Sequence, residues 1–288
     1  MVRILTPLRK ALWQGLQHDI FAIAKAAAYS QILSLFPAML VVASVAAAME
    51  GSAEYVDEVA YALGRILPSG AGTATRYFEA AQHRPLSTLI PTLLITLWTA
   101  SGIFVSWMDG FRRAHGLAKT WGLVKERLVA FFLVFLTFVP MVFATVLVVF
   151  GNQIETWMVF HSSHEIGFYI LALWAFVRWV IALATSVAVL QLIYHWAIPR
   201  TDPWHNALPG AGLATALWFP ATSLFGWYLR HFSTYSLIYG SLATSIALLV
   251  WMYIISVIVL LGAEFNAQVF PKTASGKVSL TDKELQVR

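Results

Sequence analysis

Long apolar stretches alternate with short polar ones along this chain. Six apolar stretches run at 24–49, 86–108, 128–150, 167–195, 207–229 and 237–263. A helix rises about 1.5 Å per residue, so about 20 residues cross the hydrocarbon core of a bilayer, and all six stretches are long enough. Lipid offers backbone N–H and C=O groups no water partner, so each stretch must satisfy its own groups as a helix. The pattern predicts an all-α polytopic membrane protein, with six transmembrane helices bundled across residues 24–270.

The connecting segments have patterns of their own. Leu5, Leu8, Leu12, Leu16, Ile20 and Ile23 recur at three- and four-residue steps, with Arg9, Lys10, Gln14 and Gln17 on the other side. That spacing predicts an amphipathic helix over 1–23, lying in the cytoplasmic interface. The N-terminal segment lacks the compact apolar run and small-residue cleavage site of a cleavable signal peptide. In the 50–85 segment, Val56, Val59, Ala60, Leu63, Ile66 and Leu67 keep helical spacing until Pro68-Ser69-Gly70 stops the run. A second short helix is expected at 73–82, making 50–85 an extracytoplasmic helical loop. It is either a solvated cap over the bundle or a lid over an outer vestibule. Residues 271–288 read as a polar cytoplasmic tail. Pro37, Pro140 and Pro220 fall within expected spans, where each removes a backbone donor. The pairs Ala24/Ala28, Ala43/Ala47, Gly210/Ala214 and Gly212/Ala216 are four residues apart, the spacing that lets membrane helices approach closely.

Charge orients the bundle. The chain of 288 residues is 59% hydrophobic and only 11% charged, with 12 tryptophans available to line two interfaces. With the N-terminus inside, the inner regions 1–23, 109–127, 196–206 and 264–288 hold 13 Lys and Arg residues, against 4 in the outer regions. The positive-inside rule then places both termini in the cytoplasm. The net charge of +5 fits this topology and anionic headgroups better than a nucleic-acid partner, so membrane lipids are the expected partners. There are no cysteines, which excludes disulfides, thiol nucleophiles and Cys-ligated metals. No Walker A motif, nucleophile elbow, voltage-sensor pattern or selectivity filter appears, and no cofactor is expected. His161-Ser162-Ser163-His164-Glu165 offers metal-ligating side chains, but it lacks the H-E-x-x-H order on a helix and reads as a solvated loop.

Polar groups deep in lipid are costly, so they are the best site candidates. Arg178 stands about eleven residues into the fourth stretch, close to the midplane by the helix rise. It is either a structural guanidinium bonded to carbonyls or an anion site in a wet cavity. Tyr29 and Gln31 on the first stretch, and Trp98, Thr99 and Ser101 on the second, complete the candidate substrate pathway. Gln31 is placed to face Arg178 or a ligand. Asp109, Arg112, Glu264 and Asn266 lie at the inner mouth, as inter-helix ties or as an inner gate.

Several of these residues belong to runs that resemble one family. Ala26-Ala27-Ala28-Tyr29-Ser30-Gln31-Ile32-Leu33-Ser34-Leu35-Phe36-Pro37 resembles the first-span motif of the YihY/BrkB family of bacterial inner-membrane proteins. Leu97-Trp98-Thr99-Ala100-Ser101 resembles its second span, and Ile193-Tyr194 through Leu208-Pro209-Gly210-Ala211 its fourth-to-fifth connection. The closest likeness is late, in Tyr235-Ser236-Leu237-Ile238-Tyr239-Gly240-Ser241-Leu242 and Leu261-Gly262-Ala263-Glu264-Phe265-Asn266-Ala267-Gln268. The resemblance implies six spans, cytoplasmic termini and an inner-membrane location. The family carries ribonuclease and virulence-factor labels, and members are linked to lipid or lipopolysaccharide export. The expected function is a non-enzymatic transporter or flippase-like protein for an amphipathic anion or lipid. A structural role in envelope assembly is the alternative. A membrane ribonuclease fits poorly, because phosphodiester hydrolysis usually needs a carboxylate/His metal cluster. Because depth sets the cost of a charge, Arg178→Ala is expected to damage activity or assembly more than Arg113→Ala, as measured by expression, stability and activity side by side.

Overall fold

The computed structural model of the chain describes residues 2–48, 89–160, 164–199, 203–231 and 241–271. All regular structure in these residues is helical: α1 (Val2–Gln17), α2 (Ile20–Ala48), α3 (Leu89–Ala114), α4 (Leu123–Phe160), α5 (His164–Trp196), a 3₁₀ turn (Trp204–Ala207), α6 (Leu208–His231) and α7 (Ser241–Val269). Four helices carry spans long and apolar enough to cross a membrane: Ile20–Val41, Ile90–Ala114, Phe176–Trp196 and Ser245–Val269. The other two expected spans also fall on helices. In α4 the side chains are described only as far as Val142. In α6 the apolar run is diluted by Gly210, Gly212 and Gly226, by two prolines and by Trp218 and Trp227. The expected outer loop at 50–85, the tail beyond Pro271, the Tyr235–Gly240 part of the late motif and His161-Ser162-Ser163 lie outside the described residues.

The N-terminal amphipathic pattern is divided between two helices. Asp19 adopts φ 57°, and its carbonyl accepts the N–H groups of Ala22 and Ile23 as α2 begins. A short polar side chain tolerates this left-handed corner better than most. Ile20 and Ile23, expected on the interfacial helix, therefore belong to α2 and are buried. On α1, Ala11 and Leu8 pack on Leu261 and Phe265 of α7, whereas Leu12, Trp13 and Leu16 stay exposed. The turn after α3 is a Schellman cap. Leu117 N–H reaches the Arg112 carbonyl and Gly116 N–H the Arg113 carbonyl, with Gly116 at φ +60°.

Small side chains line much of the interior around a core of Phe104, Trp107, Met108, Phe111, Leu133 and Leu260, and many other large side chains face outward. Ala24, Ala27, Ala28, Ala130, Ala211, Ala214 and Ala263 are buried, while Leu94, Phe135, Phe138, Phe176, Trp179 and Leu224 are exposed. In water an apolar surface this wide would drive association. In lipid there is no hydrophobic gain from hiding it, and helices associate by close packing and hydrogen bonds instead. α2 and α7 are the central helices, with 39% and 44% of their spans buried against 11% for α5.

The closest approach is the α6–α7 crossing. A Cβ on Gly210 would collide with the Gly262 carbonyl and Asn266, and a Cβ on Gly262 would collide with the Tyr194 hydroxyl of α5. Of the two small-residue pairs on α6, Gly210/Ala214 forms this contact. Gly212 has open space beside it, and Ala216 is exposed. Gly210→Ala and Gly262→Ala are each expected to destabilise the bundle by about 1–3 kcal/mol or more through overpacking. Gly212→Ala should stay within about 0.5 kcal/mol. Unfolding in detergent, followed by loss of helical signal, measures the difference.

Candidate functional site

The start of α2, the end of α3, the start of α4, the end of α5, the start of α6 and the end of α7 meet at one end of the bundle. Contacts between distant residues fix this arrangement. His18 Nδ1 lies 2.7 Å from Glu264 Oε1, and Tyr194 donates to the Val259 carbonyl at 2.7 Å. Gly210 N–H donates to Asn266 Oδ1 at 2.6 Å, while Asn266 Nδ2 donates to the Ala207 carbonyl at 3.1 Å. Asn266 thus caps α6 from a neighbouring helix, satisfying a first-turn N–H that has no partner within α6.

Helical spacing explains how the last motif serves several partners. Gly262 and Asn266 are four apart and face α6. Glu264 and Gln268 are also four apart and meet His18 and Gln14 of the N-terminal segment. Glu264 is fully buried, and its Oε2 has no hydrogen-bond partner.

A second charged cluster ties α3 to α4. Arg112 Nη1 donates to Glu126 Oε1 at 2.6 Å and Nη2 to Asp109 Oδ1 at 3.0 Å. Lys119 reaches the other Glu126 oxygen at 3.2 Å, and Arg113 pairs with Asp109 at 3.0 Å. Arg112 and Glu126 are both buried, so each depends on the other for its charge. The four expected inner-mouth residues therefore share one end of the bundle but divide into separate ties: Asp109 with Arg112, Glu264 with α1's end, and Asn266 with α6.

A polar layer lies further in. Gln31, in the middle of the α2 span, donates from Nε2 to Ser256 Oγ of α7 at 3.1 Å, and Ser34 donates to the Gln31 carbonyl at 2.9 Å. Gln31 Oε1 is buried without a partner. Gly102 lets α3 approach the Ser30 hydroxyl. Beside it, Ser101 donates to the Trp98 carbonyl at 2.7 Å and accepts from Arg127 Nη1 at 2.9 Å. The Arg127 guanidinium also stacks over the Trp98 ring, 4.4 Å from its centroid. Thr99 donates back to the Ile95 carbonyl at 2.8 Å, and Tyr29 is exposed.

Thus α2 and α3 bring Tyr29, Gln31, Trp98, Thr99 and Ser101 to adjoining helix turns, but Gln31 meets Ser256 rather than Arg178. Arg178 is half-buried near the middle of α5, on a helix that packs chiefly against α4 and α6. The reading from sequence missed Glu126, Arg127, His18, Tyr194 and Ser256. Ser256 carried a signal, being the one serine in the long apolar run 246–263.

Between α4 and the end of α5 lies an open cavity of about 660 Å³. Lys125 and His195 supply its polar groups. Trp121, Leu128, Phe132 and Trp196 supply apolar and aromatic wall. Lys125 Nζ stands 5.3 Å from the Trp121 ring centroid, and Phe132 meets Trp196 edge-on at 5.6 Å. A charged rim over an apolar wall, at the end of membrane helices, suits a molecule with an anionic head and a hydrocarbon body. His195 also lines a neighbouring small pocket of about 40 Å³ with His115, Tyr194 and Asn266.

These features sit on a recognisable chain. The family model described as Virulence factor BrkB matches residues 12–282, and the protein belongs to that family of membrane proteins. It is 27% identical to the ribonuclease-like protein YfkH of Bacillus subtilis, over 83% of this chain and 86% of the relative. It is 28% identical to a UPF0761 membrane protein of Tolumonas auensis, over 88% and 82% of the two chains. A UPF0761 membrane protein of Azotobacter vinelandii is 45% identical over 30% of this chain and 21% of its own. No solved structure matches the chain.

The paired burial of Arg112 and Glu126 gives a direct test. Glu126→Gln leaves a buried guanidinium without its principal partner and is expected to destabilise the bundle by about 3–5 kcal/mol. Asp109→Asn, at a carboxylate with 41% side-chain exposure, should cost about 1 kcal/mol or less. Denaturant unfolding of both variants in the same detergent compares them.

Proposed function

We propose that this protein crosses the bacterial inner membrane six times, with both termini in the cytoplasm, and acts as a transporter or flippase-like protein for an amphipathic anion or lipid. The carrying observation is the open cavity between α4 and α5, with Lys125 and His195 above apolar and aromatic wall. Its volume is within the usual range for ligand sites, about 300–1,000 Å³. The excess of Lys and Arg in the segments that meet at this end supports a cytoplasmic placement. An anionic headgroup would enter at Lys125 and His195 while its chains stay against Leu128 and Phe132. Arg178, further along α5, would then attract the headgroup in the next stage of passage, with Asp109, Arg112, Glu264 and Asn266 closing the inner side.

A nuclease reading draws nothing from these residues. Acidic side chains at the basic end are already engaged: Glu126 is ion-paired with Arg112 and Lys119, Asp109 with Arg112 and Arg113, and Glu264 is hydrogen-bonded to His18. A structural role in envelope assembly is the second reading, favoured by the hydrogen bonds through which Gln268 and Asn266 of α7 tie α1 and the start of α6 together.

Proteoliposomes containing fluorescent phospholipid in one leaflet separate the two readings. The parent protein is expected to accelerate exchange between leaflets, and Arg178→Ala and Lys125→Gln each to slow it about tenfold, equivalent to about 1.4 kcal/mol. Exchange no faster than in protein-free vesicles, from folded protein, would overturn transport and leave the structural reading.

A further inference from the structure

We propose that Arg127, Trp98 and Ser101 form a second lipid site, on the α3–α4 face, which binds the phosphate of an anionic phospholipid. The guanidinium is held from two directions. Its Nη1 donates to Ser101 Oγ at 2.9 Å, and its central carbon Cζ lies over the Trp98 ring, 4.4 Å from the centroid. Ser101 is completely buried near the middle of the Ile90–Ala114 span, so this guanidinium reaches further in than Arg112, Arg113, Lys119 and Lys125 at the end of the bundle.

A guanidinium does not shed its proton in a protein, so its charge must be compensated where it lies. The chain does not supply the counter-charge. Glu126, next in sequence, points to Arg112 and Lys119, and Asp109 is held by Arg112 and Arg113. Among the described residues no carboxylate pairs with Arg127, and Ser101 is its one hydrogen-bond acceptor. Most of its N–H groups are therefore available to a ligand.

Position selects the ligand. Trp98 is 58% exposed on the outer surface of the bundle, so the site opens toward lipid. The Lys125 cavity lies against α5, and its lining includes neither Arg127 nor Trp98. The anion that surrounding lipid brings to such a place is a headgroup phosphate. A planar guanidinium fork matches phosphate oxygens with two parallel hydrogen bonds. The site goes beyond the transport reading, since lipid binds there whether or not it is moved.

Native mass spectrometry of the full chain in detergent, titrated with phosphatidylglycerol, tests this. The parent is expected to bind one lipid more tightly than Arg127→Gln does, with dissociation weakened about tenfold in the variant. Arg127→Lys, which keeps the charge but loses the fork, should fall between them. Ser101→Ala frees the guanidinium without removing it and should weaken binding about threefold at unchanged helical content. These two variants carry the test if Arg127→Gln does not fold. Lys125→Gln should leave this lipid in place. Equal phosphatidylglycerol binding by the parent, Arg127→Lys and Ser101→Ala would overturn the proposal. Displacement of the lipid by millimolar inorganic phosphate would also overturn it, making a free anion the ligand. Retained binding with no lipid movement in proteoliposomes would sink transport and leave this site standing.

Discussion

Arg112, Glu126, Gln31 and Asn266 leave water where another helix can meet them, and that constraint organises the bundle. A carboxylate or guanidinium in hydrocarbon without a partner is costly enough to unfold a protein of ordinary stability. Arg112 and Glu126 are the clearest case. Both are buried, and their 2.6 Å contact fixes where α4 begins relative to α3. Asn266 does the same for α6. Its amide receives one backbone donor and supplies another donor, so α6 can start inside the protein without leaving its first turn unsatisfied.

Small residues make these bonds possible. Gly262 and Gly210 bring α6 and α7 close enough for the side chain of Asn266, one turn further along, to reach the start of α6. Gly102 does likewise for α2 and α3, beside the Gln31–Ser256 bond. Packing and hydrogen bonding are thus one device here. At the α6–α7 crossing Gly262 sets the distance, and Asn266, four residues away, fixes the register. Many bulky residues, Phe135, Phe138 and Trp179 among them, lie on the outer face, where meeting lipid costs no hydrophobic free energy.

The helical character and much of the span placement were legible in the sequence, because apolar length is a local property. The junction at Asp19 was not. The repeat of Leu and Ile runs through it without a break, and only His18 and the left-handed Asp19 separate α1 from α2. Gln31 and Ser101 stood out as polar residues in apolar runs, yet their partners did not, since Ser256 lies 225 residues from Gln31. Arg127 was legible only as part of the positive charge after the second span. Nothing local says that its side chain turns toward Ser101 instead of toward water. Arg178 was visible for the opposite reason, being the lone charge of its stretch, but its helix places it away from Gln31.

The run Lys125-Glu126-Arg127 shows how one turn of helix distributes three charges. Successive residues of a helix point about 100° apart, so three neighbours need not share an environment. Lys125 turns to the open cavity by α5, Glu126 to the buried Arg112, and Arg127 to Ser101 and Trp98. The middle residue decides what its neighbours can do. Its two oxygens are engaged by Arg112 and Lys119, at 2.6 and 3.2 Å, so it is not available to neutralise either flanking cation. The bond that anchors α4 to α3 thereby leaves two cations, Lys125 and Arg127, on different sides of α4 with no carboxylate partner among the described residues.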